Sequence, residues 1–259
     1  MIPALATIFR GPLEEIGARL VLADDTRPFL TGAALLDEDR VRDMLKAFAR
    51  SYAVTLCVEG FDGTEMTAVA TQWSKWHFSV VLPPVLIANI ARDWHLPTDL
   101  EQVGIVLSAD HRTAALRLPA KGEHRHFADA HERFSVLIEG HLAPFIGTLS
   151  RASALPEKVL WSNAGNIAES VVGKCEAQLG ADHPGVIHGR ALFAAKSLGG
   201  GRRNPLFEPV RYIPNRTPAR RRRICCLRYR IPALPLCKTC PLDNRPLDRV
   251  SIERPDATG

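Results

Sequence analysis

Long hydrophobic runs are what this chain most clearly lacks. No apolar stretch reaches the roughly 18–20 residues needed to cross a bilayer. The chain opens Met1-Ile-Pro and soon meets Arg10, Glu14 and Glu15, without the basic start, apolar stretch and small-residue cleavage site of a secretory leader. The expectation is a cytoplasmic location, with no transmembrane segment and with peripheral membrane contact left open. A dinucleotide fingerprint is also missing. Gly199-Gly-Gly201 follows no strand pattern and lacks the G-x-G-x-x-G spacing that brings backbone amides to a pyrophosphate. No nucleophile–base–acid triad stands out. Aromatic residues make up only 7% of the chain and are scarce among its arginines, so base stacking beside a basic run has little to work with.

What is present is ordinary in bulk and uneven in distribution. The 259 residues are 46% apolar and 24% charged, enough to bury a substantial core. Net charge is +5, yet residues 201–259 alone hold 14 Lys/Arg against 5 Asp/Glu, together with nine of the nineteen prolines. A mildly acidic body therefore carries a basic, proline-rich C-terminal segment, whose potential could steer an acidic partner or balance a local negative charge.

The body reads as mainly helical. Asp37 is placed to cap a helix carrying Val41, Met44, Leu45, Phe48 and Tyr52 at helical spacing. Met66–Trp94 carries a second apolar stripe, and Pro83-Pro84 predicts that it breaks into two helices. Residues 103–118 read as two short strands around a polar turn. Further helices are expected over Ala130–Phe145, about Pro156–Leu179, and near Val186–Leu198 before the glycine stop. The fold class expected is α+β: a predominantly helical body with a small antiparallel β-hairpin and an irregular C-terminal cluster-binding segment. The division expected is 1–200 for the helical body, 201–242 for the basic segment with its cysteines, and 243–259 for an extension with no assigned role.

Four of the six cysteines, Cys225, Cys226, Cys237 and Cys240, fall within sixteen residues. Thiolates are soft ligands that select zinc, copper(I) or iron–sulfur clusters, and a reducing compartment argues against two structural disulfides. Three readings compete: a [2Fe–2S] site with two cysteines per iron, a structural zinc with four thiolates, or unligated thiols. Zinc modules usually bite from C-x₂₋₄-C pairs, whereas Cys225 and Cys226 are adjacent and point to opposite sides of an extended chain. A two-iron cluster, with its separated ligand positions, accommodates that pair more easily. Spacing alone leaves iron–sulfur and zinc level, with unligated thiols behind. Arg220–Arg223, Arg228, Arg230 and Lys238 surround the cysteines. They would offset a cluster charge of about −2 and raise its potential, or they could form a solvated or nucleic-acid-binding face.

At these residues the chain resembles the FhuF-type ferric siderophore reductases. Arg222-Arg-Ile-Cys-Cys-Leu-Arg-Tyr229 followed by Cys237-Lys-Thr-Cys-Pro-Leu242 matches that family's C-C-x₁₀-C-x₂-C pattern. Gln72-Trp-Ser-Lys-Trp76, Leu82-Pro-Pro84 and Leu160-Trp-Ser-Asn-Ala164 resemble its landmarks in the body. The resemblance implies a [2Fe–2S] oxidoreductase ligated by Cys225, Cys226, Cys237 and Cys240, which reduces ferric siderophores, typically hydroxamates, by one electron. It implies an external electron donor of flavin or ferredoxin type, and no nucleic acid. The rival from another class is a zinc-binding protein whose basic arm contacts nucleic acid.

Other residues carry weaker signals. Trp73, Trp76 and Trp161 could line a siderophore pocket, though packing between helices is the simpler reading. Asn163 and Asn166 fall off the apolar helix face, which points to surface or capping roles. His124, His126 and His131 lack partners for a metal site. Cys57 and Cys175 read as small buried hydrophobes.

Overall fold

A computed structural model describes residues 2–242. Its N-terminal part holds a short helical turn α1 (Glu14–Gly17), strands β1 (Leu20–Val21) and β2 (Phe29–Thr31), and helix α2 (Glu38–Leu56). Then come α3 (Gly63–Arg92), β3 (Trp94–His95), β4 (Gly104–Leu107), β5 (Thr113–Arg117) and β6 (Glu123–His124). Helix α4 (Ala130–Ser135) runs through a π-helical stretch, Val136–Leu142, into α5 (Ala143–Ser153). Helices α6 (Glu157–Leu179) and α7 (Pro184–Ala194) follow, and the hairpin β7 (Val210–Tyr212) and β8 (Arg220–Arg222) leads into the cysteines. The architecture is α+β, and the 243–259 extension lies outside the described residues.

Asp37 caps α2 as expected, its carboxylate accepting from the Asp39 and Arg40 amides. The expected break at Pro83-Pro84 does not occur: α3 is continuous over 30 residues, both prolines included. Pro83 has no N–H to offer the Ser79 carbonyl four residues back. Arg19 supplies the missing donor, its Nη1 lying 2.8 Å from that carbonyl oxygen. A capping box between Asp62 and Glu65 secures the other end. Buried on nearly every side, α3 is the central element, against α6 on one flank and β5 on another.

The hairpin expected over 103–118 is present as β4–β5, and it belongs to a larger sheet of order β1-β5-β4-β2. β2 pairs antiparallel with β4, and β1 parallel with β5. These two additional strands have only two and three residues, too short for alternation to register in the sequence. Cys175 is buried as expected, and burial pushes its thiol up to about 11. Cys57 is exposed instead, in a left-handed conformation (φ 53°) where α2 ends. The local apolar composition concealed that the chain turns outward there.

The basic segment packs on the body. Leu206 and Ile231 join the main buried cluster, and Cys226 and Cys240 are buried too. Gly165 on α6 faces Pro209 so closely that a side-chain carbon at that glycine would lie 2.7 Å from the proline ring. Among the described residues, no helix is long and apolar enough to cross a membrane.

Candidate metal centre

The four-arginine run is folded into the structure. In β8 its members take different faces, because strand side chains alternate. Arg220 turns to α6 and pairs with Glu169 at 2.5 Å, while Arg221 and Arg222 are buried. Arg223 is exposed and pairs with Glu208.

Arg222, only 2% exposed, lies between α6 and the cysteines. Its Nη2 donates to Asn163 Oδ1 at 2.5 Å and to Ser162 Oγ at 3.2 Å. Its amide donates to the Thr239 carbonyl, which ties β8 to the C-x-x-C turn. That turn closes with the Cys240 amide on the Cys237 carbonyl. Arg221 Nη1 reaches the carbonyls of Lys238 and Cys240 from the other side.

Helix α3 supplies the opposing wall. Thr71 Oγ1 donates to the Cys226 carbonyl at 2.7 Å and accepts from Gln72 Nε2. Lys75 donates to Gln72 Oε1 at 2.8 Å and lies 3.8 Å from Cys226 Sγ. Asn163 closes the frame through Nδ2, which donates to Ser74 Oγ at 2.9 Å. One polar network therefore runs from α3 through Asn163 to Arg222 and the cysteine loop. Each member satisfies a partner that burial would otherwise leave stranded.

Within this frame the thiols converge. Cys226 and Cys237 sulfurs are 3.9 Å apart, close to the ~3.8 Å separating two thiolates on one tetrahedral metal with bonds of ~2.3 Å. Cys225 Sγ accepts from the Leu227 amide at 3.4 Å. Cys226 and Cys240 are buried, while Cys225 and Cys237 are half-buried, so the site has one sealed side and one accessible side.

The thiols' proton affinities divide. The hydrogen bond between Cys226 and Cys237, with Lys75 and Arg222 alongside, outweighs burial and holds Cys226 far below the ordinary thiol range. The same hydrogen bond, with burial, pushes Cys237 up. Burial raises Cys225. It also lowers the proton affinity of Lys75 and Arg222, against the pull of the neighbouring thiols.

The donor set fits a [2Fe–2S] group better than one zinc. A two-iron group spreads its ligands into pairs, and its charge of about −2 when oxidised is matched by Lys75 and Arg222. Among the described residues the buried Nε of Arg222 has no hydrogen-bond partner, a donor still available to an acceptor.

Of the residues singled out in the sequence, Trp73 is fully buried, its Nε1 on the His111 carbonyl, and Trp76 packs on Phe48 and Tyr52. Both are core residues. Trp161 is buried beside the cysteine segment. The surface role expected of Asn163 is wrong, since it is fully buried and holds Arg222. Asn166 accepts from Arg220 at 2.9 Å. His124 and His126 are exposed, and His131 lies 3.7 Å from Glu139. Thr71, Gln72 and Lys75 went unrecognised as site residues. Their sequence signals were a polar run, Thr-Gln-x-Ser-Lys, inside an otherwise apolar helix, and the place of Gln72 and Lys75 in the Gln72-Trp-Ser-Lys-Trp76 landmark.

A thiol-rich cofactor site, sealed on an α+β body by two cations, is the class of protein that fold and site define. A family described as "Ferric iron reductase FhuF-like transporter" matches residues 71–219, and "FhuF 2Fe-2S C-terminal domain" matches residues 222–242. The chain belongs to the FhuF family, and its cofactor is a [2Fe–2S] cluster. It is also similar to the ferric siderophore reductase of Escherichia coli (strain K12), with 28% identity over 174 residues. The matched part spans 66% of this chain and 64% of that relative.

Proposed function

We propose that this protein is a cytoplasmic oxidoreductase that reduces the iron of ferric siderophores by one electron, with Cys225, Cys226, Cys237 and Cys240 holding the cluster. The observation that carries the reading is the approach of the Cys226 and Cys237 sulfurs to 3.9 Å beside Lys75 and Arg222, with Cys225 and Cys237 half-exposed. When bound, the [2Fe–2S] group supplies single electrons.

The chain's own residues set the conditions for that transfer. Lys75 and Arg222 place positive charge against the sulfurs, which favours the more negative, reduced state. Amide donation from Leu227 to Cys225 acts in the same direction. The Thr71, Asn163 and Arg222 network fixes the loop, so the thiols are held before the group arrives. Helices α3 and α6 seal the rear, and the half-exposed cysteines face the partners.

The chemistry of the substrate, a hydroxamate-type ferric siderophore, explains why one electron suffices. Fe(III) is a hard cation that hydroxamate oxygens bind tightly, and Fe(II) is held far more weakly. A donor of flavin or ferredoxin type loses one electron, Fe(III) becomes Fe(II), and the metal leaves an intact chelator. No general acid, base or nucleophile is needed.

The test is to purify the protein anaerobically, count iron and acid-labile sulfide, and follow Fe(II) release from a ferric hydroxamate after dithionite reduction. About two irons and two sulfides per chain, with stoichiometric Fe(II) release, are expected. Cys226→Ser should lose the visible absorption and the activity while keeping the helical circular dichroism. A colourless protein carrying one zinc, or a Cys226→Ser variant with full iron and sulfide, would sink the assignment.

A further inference from the structure

A cleft opens directly beside the cysteine loop. It has room for about 1020 Å³ and is built from the start of α6, the loop 196–209 and the residues leaving β8. Ile224, in its wall, immediately precedes Cys225, so the wall lies within one Cα–Cα step, about 3.8 Å, of the half-exposed cysteine. Ser162 Oγ holds the Ile224 carbonyl at 3.3 Å, which pins that wall to α6.

The lining is amphipathic. Trp161 and Phe207 contribute apolar faces. Lys158, Lys196 and Arg203 contribute positive charge, and all three are exposed. Arg223 is matched by Glu208 across the same cleft. Lys158, Lys196 and Arg203, by contrast, have no carboxylate within ion-pair distance among the described residues. Against these cations the lining carries only the carboxylates of Glu157 and Glu208, the latter already paired with Arg223, so the cleft presents net positive charge to an anion.

We infer that this cleft takes the ferric chelate and selects chelates carrying free carboxylates, so that their net charge is negative. The inference rests on the reductase reading for the identity of the chelate. Three hydroxamates neutralise Fe(III), and such a complex offers Lys158, Lys196 and Arg203 nothing to pair with. A hydroxamate chelate that also bears carboxylates presents an apolar flank to Trp161 and Phe207 and anionic groups to the three cations. Its metal would then sit next to the Ile224–Cys225 wall.

The experiment uses gallium(III), which is not reduced, so binding is read apart from electron transfer. The cluster-loaded protein is titrated by calorimetry with two probes, the neutral gallium tris-acetohydroxamate and the anionic gallium tris-succinohydroxamate, whose ligands each carry a free carboxylate away from the metal. The anionic probe should bind about tenfold more tightly at low salt, and added salt should erode the difference. Each exposed ion pair contributes a few-fold. The triple variant Lys158→Gln/Lys196→Gln/Arg203→Gln should therefore weaken the anionic probe about tenfold and leave the neutral probe and the visible spectrum unchanged. Lys174→Gln, which removes an exposed lysine at the far end of α6, should change neither affinity.

Equal affinities for the two probes, or a triple variant that binds the anionic probe undiminished, would overturn the inference. Iron release that proceeds unaltered in the triple variant under sub-saturating anionic chelate would also overturn it, leaving the reductase reading in place. Charge-selective binding without any Fe(III) reduction would support the cleft and overturn the reductase reading instead.

Discussion

At the scale of single residues, Lys75 and Arg222 decide how the cysteines behave. Lys75 lies 3.8 Å from Cys226 Sγ, with Gln72 as its other partner. Replacing it by methionine keeps much of the stem's volume and removes the charge. We expect Lys75→Met to assemble the cluster and to lower its midpoint potential by on the order of 100 mV, since a charge at this distance in partly buried protein interacts by about 2–4 kcal/mol and 59 mV corresponds to about 1.4 kcal/mol for one electron. Redox titration followed in the visible region measures this, and an unchanged potential would remove Lys75 from the tuning role. Asn163 matters through Arg222. A leucine there would strip a buried guanidinium of its closest acceptor, at a cost of about 1–3 kcal/mol.

At the scale of elements, α3 depends on residues outside itself. Arg19 answers the carbonyl that Pro83 leaves open. Arg19→Leu should therefore destabilise the fold by about 1 kcal/mol and lower the denaturant midpoint with little change in slope. No loss of stability would mean that water serves that carbonyl equally well. Helix α3 also meets the π-helical stretch through two buried rings, His77 and His141, stacked at 6.0 Å. His77 Nδ1 is 2.9 Å from Thr113 Oγ1, and His141 Nδ1 is 2.8 Å from the Thr98 carbonyl.

Burial lowers both rings' proton affinity, His141 to about 4 and His77 well below its ordinary value. The unfolded chain protonates these rings near pH 6.5, whereas the folded chain resists until far lower pH. The unfolded state therefore binds more protons, and stability falls as pH drops from about 6.5 toward 4. His141 alone should contribute about 2 kcal/mol to the loss between pH 7 and pH 5. Denaturant melts at the two pH values, compared with His141→Gln, check this. The variant should be weaker at pH 7 and lose less on acidification, and an equal loss would show that the ring does not titrate in that window.

At the scale of the whole molecule, the C-terminal segment and the helical body share one buried cluster, to which Leu206 and Ile231 contribute alongside α3 and α6. The network through Thr71, Asn163 and Arg222 also crosses between them. A chain ending at residue 200 would expose this apolar surface and remove the C-terminal partners of Thr71, Ser162 and Asn163. We expect that truncation to melt well below the cysteine variant Cys226→Ser, which leaves the buried packing in place. Thermal melts of the two, followed by circular dichroism, decide the point. Equal melting temperatures would mean that the body is stable alone.

Local chemistry made much of this protein legible from its sequence. The cap at Asp37, the long helix over 157–179, the β4–β5 hairpin and the cysteine cluster all rest on interactions between residues near in sequence. Several features required partners far along the chain. Pro83-Pro84 spelled a break, yet α3 continues through it, and the carbonyl that Pro83 leaves open is answered by Arg19, about sixty residues earlier. Asn163 looked like a surface residue by helical phase, because nothing local announces an arginine 59 residues later that buries beside it. The arginine run read either as counter-charge for a cluster or as a solvated or nucleic-acid-binding face, and strand alternation with the packing of β8 sent its members to different fates. The sequence by itself determined which atoms can bind iron and sulfide, because thiol chemistry belongs to the residue. Tertiary structure alone decided which charges stand beside those thiols and which side stays open, because both depend on distances between segments that only packing brings together.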